Sequence, residues 1–269
     1  LFKLGATARA FEAVEGLNLL RGLGVAQGGV KVELDNLALR RRNRRLAPAV
    51  AARQARRARL KGQLGLPELY PVHRLDKMTS GLLLFARNKS TAQEFQRLFN
   101  EHKVEKYYLA ISDRKPKKKQ GAVIGDMVRA RRGAWRLAKT QVRPAVTQFF
   151  SHSLKPSVRL FLLRPLTGKT HQIRVALKSV GAPIIGDPLY HESTETPADR
   201  TYLHAYSLSF PFQGEWHRHL AMPSEGELFD AECCEQIQAA FAEPWALNWP
   251  RTRFHQSDDL AGDDGSIAV

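Results

Sequence analysis

From Leu64 onward, short apolar runs alternate with polar breaks, and the spacing within each run assigns its element. GLLLFAR (81–87) is an unbroken apolar stretch of strand length, and it follows a polar loop, VHRLDKMTS (72–80). In NKSTAQEFQRLFNEH (88–102) the period becomes helical: Ala92, Phe95, Leu98 and Phe99 share one face, and Asn88 or Ser90 is placed to cap it. VEKYYLAIS (104–112) reads as a strand, and SDRKPKKKQGAVIGD (112–126) as a lysine-rich loop marked by Pro116 and Gly121. AVTQFFSHSL and VRLFLLRPL form an antiparallel pair of strands joined by KPS. TGKTHQIRVALKSVG (167–181) fits a helix capped by Thr170 and stopped by Gly181. After the turn-rich APIIGDPLY come a strand in TYLHAYSLSF (201–210) and a late helix in ELFDAECCEQIQAAFAE (227–243). Strands joined by hairpins, with helices interspersed irregularly, predict an α+β fold with a mixed, mainly antiparallel sheet and flanking helices.

The first sixty residues differ. GVAQGGVKVEL offers one short strand, but RRRNRRLAPAVAARQARRARLKG is an arginine- and alanine-rich stretch without an amphipathic stripe. We therefore expect three parts: residues 1–63 as an atypical segment outside the folded core, 64–250 as the domain, and 251–269 as an acidic, disordered tail.

Charge sharpens the picture. Residues 40–61 carry ten bases and no acid, and residues 62–191 carry 24 bases against eight acids. The basic excess of the domain thus does not depend on the arginine run before it. Such a surface suits a polyanion, most often nucleic acid, because phosphate contacts release counterions. No apolar run is long enough to span a bilayer, so no membrane partner is expected. The two cysteines, Cys233 and Cys234, are neighbours, which offers neither a disulfide framework nor a zinc spacing. A reducing, cytoplasmic setting is the simplest expectation.

The usual chemical motifs are missing: no phosphate-binding glycine loop, no HExxH, no GxSxG elbow. His217 and His219, two apart in EWHRHL, lack acidic or cysteine company, so no metal and no cofactor is expected. What stands out is Asp76, one acid between Arg74 and Lys77 at the mouth of a buried strand. Flanking bases favour its ionised form, and by itself it reads first as an ordinary loop ion pair.

Asp76 has company, however, in KYYLA, TGKTHQIRVAL and GAPIIGDPLY. HRLDKMTSGLLLFARN closely resembles the catalytic motif of the RluA-type pseudouridine synthases, which isomerise uridine in RNA. EKYYLA looks like that family's tyrosine motif, TGKTHQIRVAL its arginine motif, GAPIIGDPLY its following turn and LHAYSLSF its late strand, together covering residues 64–212. The resemblance implies the sheet of the pseudouridine synthase type with a central RNA-binding cleft, a monomer, no metal, and ribosomal or transfer RNA as partner. It also implies site residues. Asp76 would be the catalytic carboxylate, a nucleophile at the anomeric carbon or at carbon 6 of the base. Arg174 would pair with it, and Tyr108 would pack on the uracil and offer its hydroxyl for proton transfer. Arg74 would fill the gap left by a flipped nucleotide, and Ile173 would wall the uracil or join the core. Lys117, Lys118, Lys119 and Arg131, with Lys115, Arg129 and Arg132, are candidates for phosphate contacts beside the site.

Members of that family carry, upstream of HRLD, an early strand and a segment resembling N-K-P-x-G. Residues 1–63 show no such segment. The alternative expectation is a catalytically silent RNA-binding protein of the same fold, with a truncated or frame-shifted N-terminus.

Overall fold

The computed structural model describes residues 11–14, 17–20, 57–192 and 197–254. The arginine run up to residue 56 and the acidic tail beyond residue 254 lie outside the described residues. Thirteen strands and four helices are present among those described. In chain order they are β1 (Phe11–Val14), β2 (Leu17–Leu20), α1 (57–64), β3 (Tyr70–Pro71), β4 (Ser80–Gly81), β5 (Leu83–Ala86), α2 (Lys89–Asn100), β6 (Glu105–Ser112), β7 (Gln120–Gly125), β8 (Met127–Arg129), β9 (Trp135–Leu137), β10 (Ala145–Lys155), β11 (Val158–Pro165), α3 (Gln172–Ser179), β12 (Leu203–Phe212), β13 (Glu215–Leu220) and α4 (Ala231–Phe241).

The main sheet runs β13-β12-β6-β11-β10-β7, antiparallel throughout, with β4 added in parallel to β12. A second sheet, β1-β2-β5-β3, is also antiparallel, and β8 and β9 form a separate hairpin. Residues 11–14 and 17–20 of the N-terminal segment therefore sit in a sheet, where β2 pairs Leu17–Leu20 with residues 86–83. The fold is the mixed, mainly antiparallel α+β arrangement that the apolar pattern predicts.

Two parts of that pattern misled. The loop expected over 112–126 ends at Lys119, because QGAVIG forms β7 and pairs with β10 from Ala145↔Gly125 to Phe150↔Gln120. Its alternation had been masked by the lysines before it. Thr170 does not cap α3: His171 holds the cap position in a left-handed conformation (φ 58°), without a side-chain cap bond. The other end of α3 follows the expectation. Gly181, at φ 80°, lets its own N–H reach the Lys178 carbonyl and the Ala182 N–H reach that of Leu177, which satisfies the last turn.

α2 begins at Asn88, whose side chain accepts from the Thr91 N–H at 2.8 Å. Its Phe95 and Leu98 are buried against β5 and β12, where Phe95 meets Phe210 edge-on at 5.0 Å between ring centres. Burying a phenylalanine in this way stabilises by about 1.5–3 kcal/mol. α3 and α4 pack on the main sheet through Ile173, Ala176, Leu177, Ile237 and Phe241, all in one core with β6 and β11.

One short segment joins the two sheets. Residues 80–81 pair with His204 and Ala205 of β12, the Leu82 N–H donates to the Ala205 carbonyl, and residues 83–86 then enter the second sheet. The approach to β12 is so close that a Cβ on Gly81 (φ 104°) would lie 2.2 Å from the Ala205 oxygen. Only glycine fits there. The loop carrying Asp76 is thus tied down four residues later by both sheets.

Candidate active site

A cleft of about 330 Å³ opens between the 72–79 loop, β6 and the segment that leads into α3. That volume is in the range of a small-molecule site. Asp76 is the one carboxylate that lines it among the described residues, and it faces Tyr108 and Arg174 there. The Asp76 carbonyl accepts from the Thr79 N–H at 2.9 Å, so the loop turns sharply just before β4.

Behind the turn a hydrogen-bonded chain fixes β4. His204 Nε2 donates to the Ala221 carbonyl at 2.8 Å, which leaves Nδ1 to accept the Ser80 hydroxyl at 2.8 Å. Arg200 donates to the same Ser80 oxygen. Burial drives the His204 imidazole down to about 4, with the Ala221 bond opposing and the Arg200 charge adding to the shift, so the ring is neutral.

Arg174 is only 3% exposed, and its main partner is not Asp76. Its Nε and Nη2 make a two-pronged contact with Asp187, at 2.7 and 2.8 Å, whereas Nη1 reaches Asp76 at 3.4 Å. Asp187 is itself buried at 1% exposure and also accepts from the N–H groups of Leu189 and Tyr190. Burial works against the guanidinium charge, but the Asp187 bonds and charge, followed by that of Asp76, outweigh it and raise the pKa. Tyr190 lies under the guanidinium, 4.9 Å from ring centre to carbon. Arg174 thus arrives at Asp76 already oriented. Asp187 is the residue that reading the motifs one by one overlooked; it sits in the GDPLY turn, in the motif that follows its partner's.

Tyr108 and Tyr107 point to opposite sides of β6, as a strand requires. Tyr107 is buried, donates to Glu105 at 2.7 Å and packs near Trp249; Tyr108 faces the cleft. Burial first, and then the Asp76 charge, raise the Tyr108 phenol well above its ordinary range, so it is protonated at neutral pH. Lys106, two residues earlier on the same side of the strand, also lines the cleft, and burial lowers its pKa. It makes no ion pair with a described residue. The i, i+2 spacing of Lys106 and Tyr108 was the available signal.

Arg74 lines the cleft with its side chain exposed, and Ile173 both lines it and belongs to the core at 8% exposure. His73 also lines it, but its Nε2 accepts from the Leu84 N–H at 2.9 Å, and burial, then Lys106, lower it to about 3. It is a neutral anchor for β5. Gln172 holds the opposite rim: its carbonyl oxygen accepts from Thr167 and the Lys169 N–H, while its amide donates to Val146 and Thr147. Lys117, Lys118, Lys119 and Arg131 are exposed but do not line the cleft; the lysines precede β7 and Arg131 lies in the turn between β8 and β9. Lys115, Arg129 and Arg132 are likewise outside it. His217 and His219 stack ring on ring at 6.4 Å beside Phe210, and no group of three or more metal-ligating residues occurs among the described residues. No helix among those residues is long and apolar enough to cross a membrane.

An antiparallel sheet thus carries, on the segment paired with β12, a loop whose aspartate shares one cleft with a tyrosine and a buried arginine. The sequence profile for RNA pseudouridylate synthase matches residues 46–179. An uncharacterized RNA pseudouridine synthase of Haemophilus influenzae is 53% identical over 184 residues, which is 68% of this chain and 82% of that protein. The dual-specificity RNA pseudouridine synthase RluA of Pasteurella multocida is 32% identical over 62% of this chain and 78% of its own. Human RNA Pseudouridylate Synthase Domain Containing 1 shares the fold at a TM-score of 0.59 and 23% identity, covering 82% of this chain and 86% of that one. The chain belongs to the RNA pseudouridine synthase family, in its RluA-type branch, and is an isomerase acting on RNA.

Proposed function

We propose that the chain converts specific uridines in structured RNA, ribosomal or transfer, to pseudouridine, with Asp76 as the catalytic carboxylate. The observation that carries this reading is the placement of Asp76: among the described residues it is the one acid lining a cleft that also holds Arg74, Lys106, Lys169, Arg174 and the ring of Tyr108. The reaction breaks the N1–C1′ bond, turns the uracil, joins C5 to C1′ and releases the proton from C5. An anionic oxygen held beside Arg174 at 3.4 Å can attack C1′ or C6 without first losing a proton. Tyr108, protonated at the outset, packs its ring on the base and offers its hydroxyl for proton transfer at the sugar, ending as it began because the one proton lost overall is that of C5, which goes to water. Ile173 walls the uracil, and Arg74, exposed at the rim, takes the space that the flipped nucleotide vacates. The exposed lysines 117–119 and Arg131 bind backbone phosphates farther along the RNA.

The test uses unmodified total RNA tritiated at C5 of uridine, because closing the new bond must send that label to water. Release by the wild type and none by Asp76→Ala, with RNA binding retained, is the expected result. Full release by Asp76→Ala would refute the assignment. No release by either protein, with RNA still bound, would favour a silent RNA-binding protein.

A further inference from the structure

Beside the cleft lies a second open groove of about 490 Å³ that the chemistry above does not use. The two share residues 168–170, so one continuous surface leads from Asp76 into the groove. Its lining has two halves. Met127, Trp135 and Val142 supply apolar surface, and Val142 is 84% exposed, unusual for a branched aliphatic side chain. Lys169 and Arg143 supply positive charge, against one carboxylate in the lining, Asp126, which its bond from the Val142 N–H first, and the Lys169 charge in smaller part, hold below the usual carboxylate range.

The groove is held in shape. Asp126 accepts from the N–H groups of Val142 and Arg143 at 3.0 and 2.8 Å, which fixes the turn that lifts those two side chains. Arg129 lies 5.6 Å over the Trp135 ring. The Trp135 N–H donates to the Tyr190 hydroxyl at 2.8 Å, and that hydroxyl also meets His171 Nδ1 at 2.9 Å. Tyr190 is the ring beneath Arg174, so the wall of the groove and the arginine beside Asp76 rest on one side chain.

An aromatic face with adjacent cations is what an unstacked nucleotide requires: a surface for the base and charge for its phosphate. Two cations against the one carboxylate of Asp126 leave a net positive charge that favours an anionic occupant, and a mononucleotide cofactor would have no reason to sit where the RNA must continue. We propose that this groove is a second nucleotide subsite, holding a base of the substrate RNA next to the flipped uridine, stacked on Trp135 and Met127 with its phosphate on Lys169 and Arg143. The proposal rests on the reading that the neighbouring cleft receives uridine of RNA.

Equilibrium binding of oligouridylates one to four nucleotides long tests it, since a single nucleotide fills only the cleft and a longer one reaches the groove. In the wild type, affinity should rise about tenfold or more at the length that engages the groove, as stacking on an aromatic residue is worth about 1–3 kcal/mol per base. Trp135→Phe should keep that step and Trp135→Leu should lose it. Replacing both cations, Lys169→Ala with Arg143→Ala, should flatten the dependence of log affinity on log salt by about 0.7, the value for one single-strand phosphate contact. That slope answers the question even if Trp135→Leu fails to fold. A length series identical in wild type and Trp135→Leu, an unchanged salt slope, or no binding of any probe at millimolar concentration would overturn the proposal. Binding needs no turnover, so tritium release can fail while the step survives, which would sink the catalytic reading alone.

Discussion

Asp187→Asn separates the two jobs of the Arg174 ion pair. The substitution keeps the shape of the side chain but removes the charge that takes two of the three guanidinium contacts, at 2.7 and 2.8 Å. At an effective dielectric of about 20, unit charges about 4 Å apart attract by about 4 kcal/mol, and the site is nearly dry, with Asp187 at 1% exposure. Removing one partner of such a pair strands the other, and the expected loss of stability is about 3–5 kcal/mol. Arg174 then has Asp76 as its remaining carboxylate, so its position against the reacting oxygen shifts and turnover should fall about 10- to 100-fold, or about 1.4–2.8 kcal/mol of barrier. Urea unfolding reads the first effect, and tritium release at saturating RNA reads the second. A companion variant, Arg174→Met with Asp187→Leu, removes both charges at once. It should recover most of the stability, because a buried pair contributes little over well-packed apolar groups, yet it should remain inactive. If Asp187→Asn unfolded at the wild-type midpoint and turned over at the wild-type rate, the buried pair would have neither role.

Three further outcomes follow from the same structure. Tyr108→Phe keeps the ring and loses the hydroxyl, so RNA binding should stay within a few fold while turnover falls by about 10²-fold or more, read by filter binding and tritium release. Gly81→Ala should destabilise by at least about 2 kcal/mol in urea unfolding, since its Cβ would strike the Ala205 backbone at a positive φ. His204 should make stability fall with acid. Its folded pKa of about 4 lies below the unfolded value of about 6.5, so the unfolded chain binds more protons between them. The stability from its neutral bonds is complete above pH 6.5 and is lost as pH falls towards 4, about 2 kcal/mol of it between pH 7 and 5. His204→Gln should flatten that part of the urea-unfolding profile, and an unchanged profile would show that another group titrates.

Much of the fold was legible because the strands and helices differ in apolar period, and the α2 face of Phe95 and Leu98 with its Asn88 cap is an example. Tyr108 was separable from Tyr107 by its place in the tyrosine motif, and strand alternation turned the two to opposite sides. What escaped had one physical reason: it depends on contacts between distant segments. β7 was hidden because its pairing with β10, not its own composition, makes QGAVIG a strand. Asp187 was hidden because it is joined to Arg174 only by the folding of the turn onto α3. Thr170 looked like a cap because a hydroxyl before an apolar run usually is one, but the left-handed turn at His171 takes over that position.

The one acid among the described residues that line the cleft now has an account. In the proposed role of nucleophile, a carboxylate among cations would be drawn to whichever arginine or lysine could reach it, and every such contact would move its oxygens. Here the nearest cation is held by another carboxylate. Arg174 uses two nitrogens on Asp187 and offers only the third, at a longer 3.4 Å, to Asp76. The cleft therefore supplies positive charge to its acid without a close ion pair that would hold the acid in place. Asp76 is steered from behind by the turn to Thr79 and the Ser80–His204 anchor, and its carboxylate remains open to the cleft. Reversing the arrangement, with Arg174 bidentate on Asp76, would satisfy electrostatics better and leave no oxygen free to attack.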